Sequence, residues 1–260
     1  MDRQQLLDPV PTLGLFVLIA VLLVVLYEVG FQVGRWYQAR TQDEKEGPTG
    51  MLVGSLLALM AFLLAVTMGM AADRFDARRQ AVLNEANTIG TTYLRAGYLP
   101  EPYGADARTL IREYVPLRIN TAERAKLAAN FARSSEILDA LWSQAEQLAR
   151  ENMGSEMVSL YVESLNETID MHETRVTAIV YARVPETILL GLLALAGLSL
   201  AMVGYSAGLT RRRNPLVAGV LVVVLAGVLT LVMDLDRPRE GLVLVSQQPL
   251  IDLQEQVGAP

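Results

Sequence analysis

The stretch from Gly50 to Gly97 constrains this chain more than any other. It opens as an uncharged apolar run, Gly50 to Ala72, long enough to cross a bilayer. It then continues into DRFDARRQAVLNEANTIGTTYLRAG, and no proline occurs between Pro48 and Pro100. Most of its residues are good helix formers, so the pattern predicts one long helix. Its first half lies in lipid and its second half projects into water.

Three further apolar runs are of spanning length: Leu13 to about Val33, Thr187 to about Leu209, and Pro215 to Met233. The expected fold class is an all-α membrane protein. It has four transmembrane helices and a large helical extramembrane insert between helices 2 and 3. Residues 1–72 carry the N-terminal tail and the first two spans. Residues 73–184 form the helical domain continuous with the second span. Residues 185–234 carry the last two spans, and residues 235–260 form a tail packing on the extramembrane helices. The first run lacks a basic leader and a small-x-small cleavage site, so it is expected to stay as a membrane helix.

The polar segments divide further. Trp36 and Tyr37 mark an interface. Arg35 to Thr49 reads as a polar connection closed by the turn signal Gly47-Pro48. Ala105 to about Asn120 reads as a helix that Pro116 kinks or ends early. Thr121 is a candidate N-cap for an amphipathic helix reaching Glu151, with Leu127, Phe131, Ile137, Leu138, Leu141, Trp142 and Leu148 as its apolar stripe. Asn152-Met153-Gly154 breaks the pattern, and Ser155 to about Arg183 is helical again. In the tail, Val243 and Val245 alternate like a short extended piece. Ser246 could cap a turn of helix over Pro249 to Gln254. Leu242, Leu244, Leu250, Ile251 and Leu253 need cover, which the insert's helices would supply.

Composition excludes several functions. The absence of cysteine rules out disulfides and thiolate chemistry, and the net charge of −6 argues against nucleic acid. No span has an ionisable group near its centre, which disfavours a proton relay or charge-coupled carrier. The lone histidine, His172, has no metal partner at helical spacing and reads as a surface or interhelical side chain. No nucleotide-binding, metalloprotease or nucleophile motif occurs. The chain reads as no enzyme, with no cofactor.

Two features stand out. Glu85 lies on an apolar helix face, beside Ala81, Val82, Thr88 and Ile89, with no partner on its own helix. It is either a structural ion pair or an ion site, and Arg175 is the first choice of partner. Two antiparallel helices leaving one membrane surface would place these residues at similar heights. The second feature is small residues. Ala77, Ala81, Ala86 and Gly90 let another helix approach or line a passage. Gly54, Ala58, Ala61, Phe62, Ala65 and Gly69 form one face of the second span, a candidate pore lining or a packing surface.

The string Arg78 to Arg95, RRQAVLNEANTIGTTYLR, resembles the signature of a bacterial family of bestrophin-like integral membrane proteins. Asn166 to Asp170 with Arg175 and Val184-Pro185-Glu186 agrees with it. So does Asp234-Leu235-Asp236-Arg237-Pro238, followed by Gly241 and Ser246 to Leu250. Within these matches Arg78, Arg79, Glu85, Asn87, Gly90, Arg95, Asp236, Arg237 and Pro238 carry the motif. The resemblance implies a homo-oligomer around a central axis, a pentamer by analogy, in the bacterial inner membrane. It implies a channel for small ions, with anions favoured. True bestrophins have an aromatic and aliphatic neck where this span has Phe62 alone, and an acidic calcium clasp that this tail lacks. The alternative is a non-conducting scaffold or sensor whose soluble helices bind a partner.

Orientation follows from charge. The short connections carry Arg35, Arg40, Lys45 and Arg211 to Arg213, while the two tails carry Arg3, Arg237 and Arg239. The positive-inside rule therefore places the connections in the cytoplasm and the insert and both termini in the periplasm. Arg74, Arg78 and Arg79, directly after the second span, pull the other way, as does the cytosolic soluble part of true bestrophins.

Overall fold

A computed structural model describes residues 10–41, 47–119, 124–180, 183–211, 213–237 and 241–259. Among them every regular element is a helix. In chain order these are α1 (Thr12–Arg40), α2 (Gly47–Ala96), α3 (Tyr103–Arg118), α4 (Arg124–Glu151), α5 (Glu156–Val180), α6 (Glu186–Thr210), α7 (Pro215–Asp236) and α8 (Gln248–Val257). Helices α1, α2, α6 and α7 are each long and apolar enough to cross a membrane. The chain divides into two compact units, Met1–Phe75 with Arg183–Val243, and Asp76–Ala182 with Leu244–Pro260.

In the first unit, Leu15, Ile19, Leu23 and Tyr27 form a buried stripe along α1 at a spacing of four. They share a core with Leu189, Leu192, Ala196 and Leu200 of α6 and with Val222, Leu225, Ala226 and Leu229 of α7. The spanning part of α2 adds Met60, Leu64 and Ala71 to this core. The outer face of these helices stays apolar, with Val17, Val21, Val25, Val220 and Val224 exposed.

Contact between α1 and α6 is closest where glycines face each other. A Cβ built on Gly30 would collide with the Ala201 carbonyl, and one on Gly34 with the Tyr205 carbonyl. Reciprocally, Gly204 lies against the Tyr27 carbonyl and Gly208 against that of Phe31. Pairs of glycines four apart on both helices let the two backbones touch.

Two boundaries differ from expectation. Helix α1 runs on past Val33 through Trp36 and Tyr37 to Arg40. No breaker intervenes, Gly34 is locked against α6, and Arg40 lies 3.8 Å over the Trp36 ring. Gly47-Pro48 is the start of α2 rather than a turn. Proline is suited to a first turn, where its missing N–H has no intrahelical acceptor. Lys45 and Arg212 of the basic connections lie outside the described residues, as do Arg3 and Arg239 of the tails. Asn214 caps α7, its side chain accepting from the Val217 N–H at 3.2 Å, with Pro215 behind it.

In the second unit, a core of large side chains joins Val82, Ile89 and Ala96 of α2 to Ile111, Tyr114 and Val115 of α3. Ile137, Leu138, Leu141 and Leu148 of α4 and Tyr161 and Leu165 of α5 complete it. Pro116 sits inside α3, which ends two residues later at Arg118. Helix α4 stops at Glu151, and Gly154 then takes a positive φ of 90°. The cap expected at Thr121 lies outside the described residues, as does the side chain of Leu127.

The tail is one longer helix, α8, and no strand forms at Val243 or Val245. Ser246 accepts from the Gln248 N–H at 3.2 Å. Leu250, Leu253 and Val257 enter the second core, and Leu253 approaches within 3.3 Å of where a Gly90 Cβ would stand. Leu242, Leu244 and Ile251 depart from the expected cover, since all three are exposed. The backbone of Leu242 and Val243 is held by Asp234, which accepts from their N–H groups at 2.9 and 3.1 Å.

Candidate functional site

Glu85 is completely buried, midway along the second half of α2. Its Oε1 accepts from Arg118 Nε of α3 at 2.6 Å. Its Oε2 accepts from Arg175 Nη1 of α5. Arg175 Nη2 donates in turn to Gln247 Oε1, just before α8, at 2.8 Å. Three helices therefore meet on one carboxylate, and Arg175 ties the segment before α8 to it. Both arginines are almost wholly buried, at 2% exposure each. Ionised groups withdrawn from water need such pairing. Burial pulls the Arg175 guanidinium down from its ordinary pKa, and the Glu85 charge opposes that shift.

Beside the pair, the Tyr114 hydroxyl and His172 Nδ1 share a hydrogen bond of 3.0 Å. His172 is thus an interhelical side chain between α3 and α5. Burial lowers its pKa to about 4, and the charges of Arg118 and Arg175 push the same way. The ring is therefore neutral at neutral pH. Burial also raises Tyr114, which keeps its proton and can donate to the ring. Arg118 Cζ lies 5.6 Å from the Tyr114 ring centre and 5.5 Å from that of Phe131.

The remaining motif residues have varied places. Arg78 is buried one turn-pair before Glu85, whereas Arg79 and Asn87 are exposed. Arg95 donates to the Leu160 carbonyl at 2.6 Å, fastening α2 to α5. Thr92 Oγ1 lies 2.9 Å from both the Ser164 carbonyl and Thr168 Oγ1 on the same seam. In the first unit Asp236 is fully buried and accepts from the Val184 N–H at 2.7 Å and from Arg183 Nε at 3.2 Å. Arg237 is buried, and Pro238 lies outside the described residues. Asp234 also accepts from Thr12 Oγ1 at 2.6 Å.

The small face of α2 is distinct from both clusters. Gly54, Ala58, Ala61, Ala65 and Gly69 are exposed, and Phe62 is 64% exposed. A Cβ added at Gly54 or Gly69 would meet no atom within 4 Å. The opposite face holds Met60, Leu64, Thr67 and Ala71, all buried. Ala81 and Ala86 are buried, Gly90 packs on Leu253, and Ala77 is exposed.

The sequence profile of the bestrophin-like domain matches residues 14–250. The chain belongs to the bestrophin-like family. Solved structures with the same fold include a point mutant of a bacterial bestrophin homologue from Klebsiella pneumoniae. That structure has a TM-score of 0.70 and 14% identity, over 93% of this chain and 97% of that one. A second mutant of the Klebsiella homologue gives a TM-score of 0.67 at 14% identity, covering 95% of each chain. A crystal structure described as a membrane protein mutant gives 0.66 at 12% identity, over 95% and 97%. None of the curated proteins matches this chain.

Sequence reasoning missed two parts of this bestrophin-like protein. Arg118 continues the stripe Ala107, Ile111, Tyr114 and Val115, and an arginine on an apolar stripe is itself a signal of a buried partner. The paired glycines Gly30 and Gly34, with Gly204 and Gly208, were equally legible as close-contact motifs.

Proposed function

We propose that this bestrophin-like protein is one subunit of a homo-oligomeric channel for small ions, with α2 turned towards a shared axis. The observation that carries the reading is the uncovered face Gly54, Ala58, Ala61, Phe62, Ala65 and Gly69. It is apolar and narrow-chained, and the chain's own helices bury the opposite side of α2 instead. Copies of α2 arranged around an axis would turn this face inward. Such a lining gates by excluding water, and Phe62 is its one bulky side chain. Anions are the favoured ions and a pentamer the favoured assembly, both by kinship with bestrophins. The buried Glu85, Arg118 and Arg175 act as the internal brace of the subunit rather than as its ion pathway.

In this reading residues 73–184 stand outside the membrane, with the tail 235–260 packed against them. The protein sits in the bacterial inner membrane with this part and both termini in the periplasm. Arg35, Arg40, Arg211 and Arg213 at the short connections support that orientation. Single-cysteine variants on the cysteine-free background report it directly. A cysteine at Ala105 should react with an impermeant maleimide in intact spheroplasts. Protection until the membrane is broken reverses the orientation.

Purified protein in planar bilayers tests conduction. Reproducible unitary currents that change on Phe62→Ala are the expected result. An intact oligomer giving no current across ions and pH establishes the non-conducting scaffold or sensor instead. A monomer in detergent, measured by native mass spectrometry, removes the axial pore altogether.

A further inference from the structure

The brace around Glu85 leaves donors over. One carboxylate faces two guanidiniums, a surplus of one positive charge in a buried cluster. Arg118 spends only its Nε on Glu85. Its Nη1 and Nη2 are buried and have no hydrogen-bond partner, although the residue is 2% exposed. A buried guanidinium fork left open is costly, and such forks match the geometry of an anion. A second orphan lies on the neighbouring helix. Ser134 is fully buried and its Oγ also has no partner. It stands one turn beyond Phe131, the α4 side chain whose ring lies 5.5 Å from Arg118. Arg175, the second guanidinium bonded to Glu85, donates from its Nη2 to Gln247. The neutral His172 adds no charge of its own.

We propose that Arg118 Nη1 and Nη2, together with the Ser134 hydroxyl, hold a small inorganic monoanion of the chloride or nitrate class inside the helical unit. The anion satisfies three orphan donors and cancels the surplus charge of the Glu85 cluster. It is a structural ligand between α3 and α4, away from the open face of α2. The assignment stands whether or not the protein conducts.

Thermal unfolding of the full-length protein in a neutral detergent tests it. Sodium chloride, and separately sodium nitrate, replaces sodium gluconate at constant ionic strength. The wild-type Tm should rise by a few degrees and saturate, as expected for a ligand bound only by the folded state. Arg118→Lys keeps a cation for Glu85 but removes both Nη donors, and should abolish the saturable rise. Ser134→Ala leaves the ion pairs intact and should shift the half-saturating chloride concentration upward roughly tenfold, the scale of one lost hydrogen bond. Should Arg118→Lys fail to fold, Ser134→Ala decides alone. A wild-type Tm indifferent to the anion overturns the assignment, as a buried water would give no such dependence. An unchanged chloride response in Ser134→Ala overturns it as well.

Discussion

The two units solve the problem of close packing in opposite ways. In the first, α1 and α6 meet through Gly30, Gly34, Gly204 and Gly208, with backbone against backbone. In the second, α2 to α5 and α8 meet through Tyr114, Tyr161, Ile137 and Leu165, with a buried charge cluster at the centre. The outer surfaces explain the difference. Around the first unit valines and leucines stay exposed, so burying one more apolar side chain gains little from leaving lipid. Shape and close approach must supply the attraction. Around the second, Arg133, Glu136, Glu163 and Arg150 are well exposed and mark a surface made for water. There the burial of large side chains drives association. The gain it supplies offsets the cost of withdrawing Glu85 and its arginines from solvent.

The sharpest way to break this contrast is to enlarge a glycine of the α1–α6 seam. Gly204→Leu must drive a side chain into the Tyr27 carbonyl, so two backbones have to part. Overpacking of this kind costs about 1–3 kcal/mol even where side chains can yield, and more where only backbone faces it. The expected outcome is loss of folded protein from detergent extracts, measured by size-exclusion yield. Wild-type yield and Tm would mean that the seam is not the tight contact of the first unit.

In the second unit the equivalent break is electrostatic. Glu85→Gln leaves two buried guanidiniums without their carboxylate and should cost about 3–5 kcal/mol, read as a fall in Tm. Arg175→Met should cost a similar amount. Combining the two should cost less than their sum, since the double variant strands fewer charges. Strict additivity would show that Glu85 and Arg175 do not support each other.

A smaller effect comes from pH. His172 has its folded pKa lowered to about 4 from the ordinary 6.5, so between these values the unfolded chain binds the extra proton. Stability therefore falls as pH drops from 6.5 towards 4, and is insensitive to this group above 6.5. Tm should decline by several degrees over that window, and His172→Gln should flatten the part of the decline due to this ring. Equal slopes in both proteins would assign the acid sensitivity elsewhere.

The smallest expected effect lies on the open face of α2. A Cβ at Gly69 meets no atom within 4 Å, so the stability of Gly69→Ala should stay within about 0.5 kcal/mol of wild type, read by thermal unfolding. The same change read on single-channel conductance or subunit stoichiometry should be visible if that face borders the axis. A large fall in stability would make the face a packing surface within the subunit.

The spans were legible because uninterrupted apolar length has few other meanings. Glu85 was legible as well, because a carboxylate on an apolar face must have an answer from elsewhere. What could not be read was how many groups answer it. Arg118 closes α3 in a stretch where Pro116 signals only an ending, and three-dimensional convergence brings it to Glu85. The continuation of α1 to Arg40 was hidden for a related reason. Polarity rises after Tyr27 and mimics an exit from helix, while the backbone feels only the absence of a breaker. The exposed Leu242 and Leu244 show the opposite failure. Apolarity predicted cover, but at Leu242 the carboxylate of Asp234 holds the backbone in place instead.

The glycine seam also sets a schedule for biosynthesis. Gly34 and Gly208 belong together, yet 208 − 34 = 174 residues separate them in order of synthesis. At roughly 5–20 residues per second, α1 waits on the order of ten to thirty seconds before α6 emerges. During that interval its grooved face has only lipid, translocon or another nascent chain to rest on. Helix α1 thus waits long for its partner α6, and an insertion chaperone that shields such a groove would have its greatest effect on this protein there.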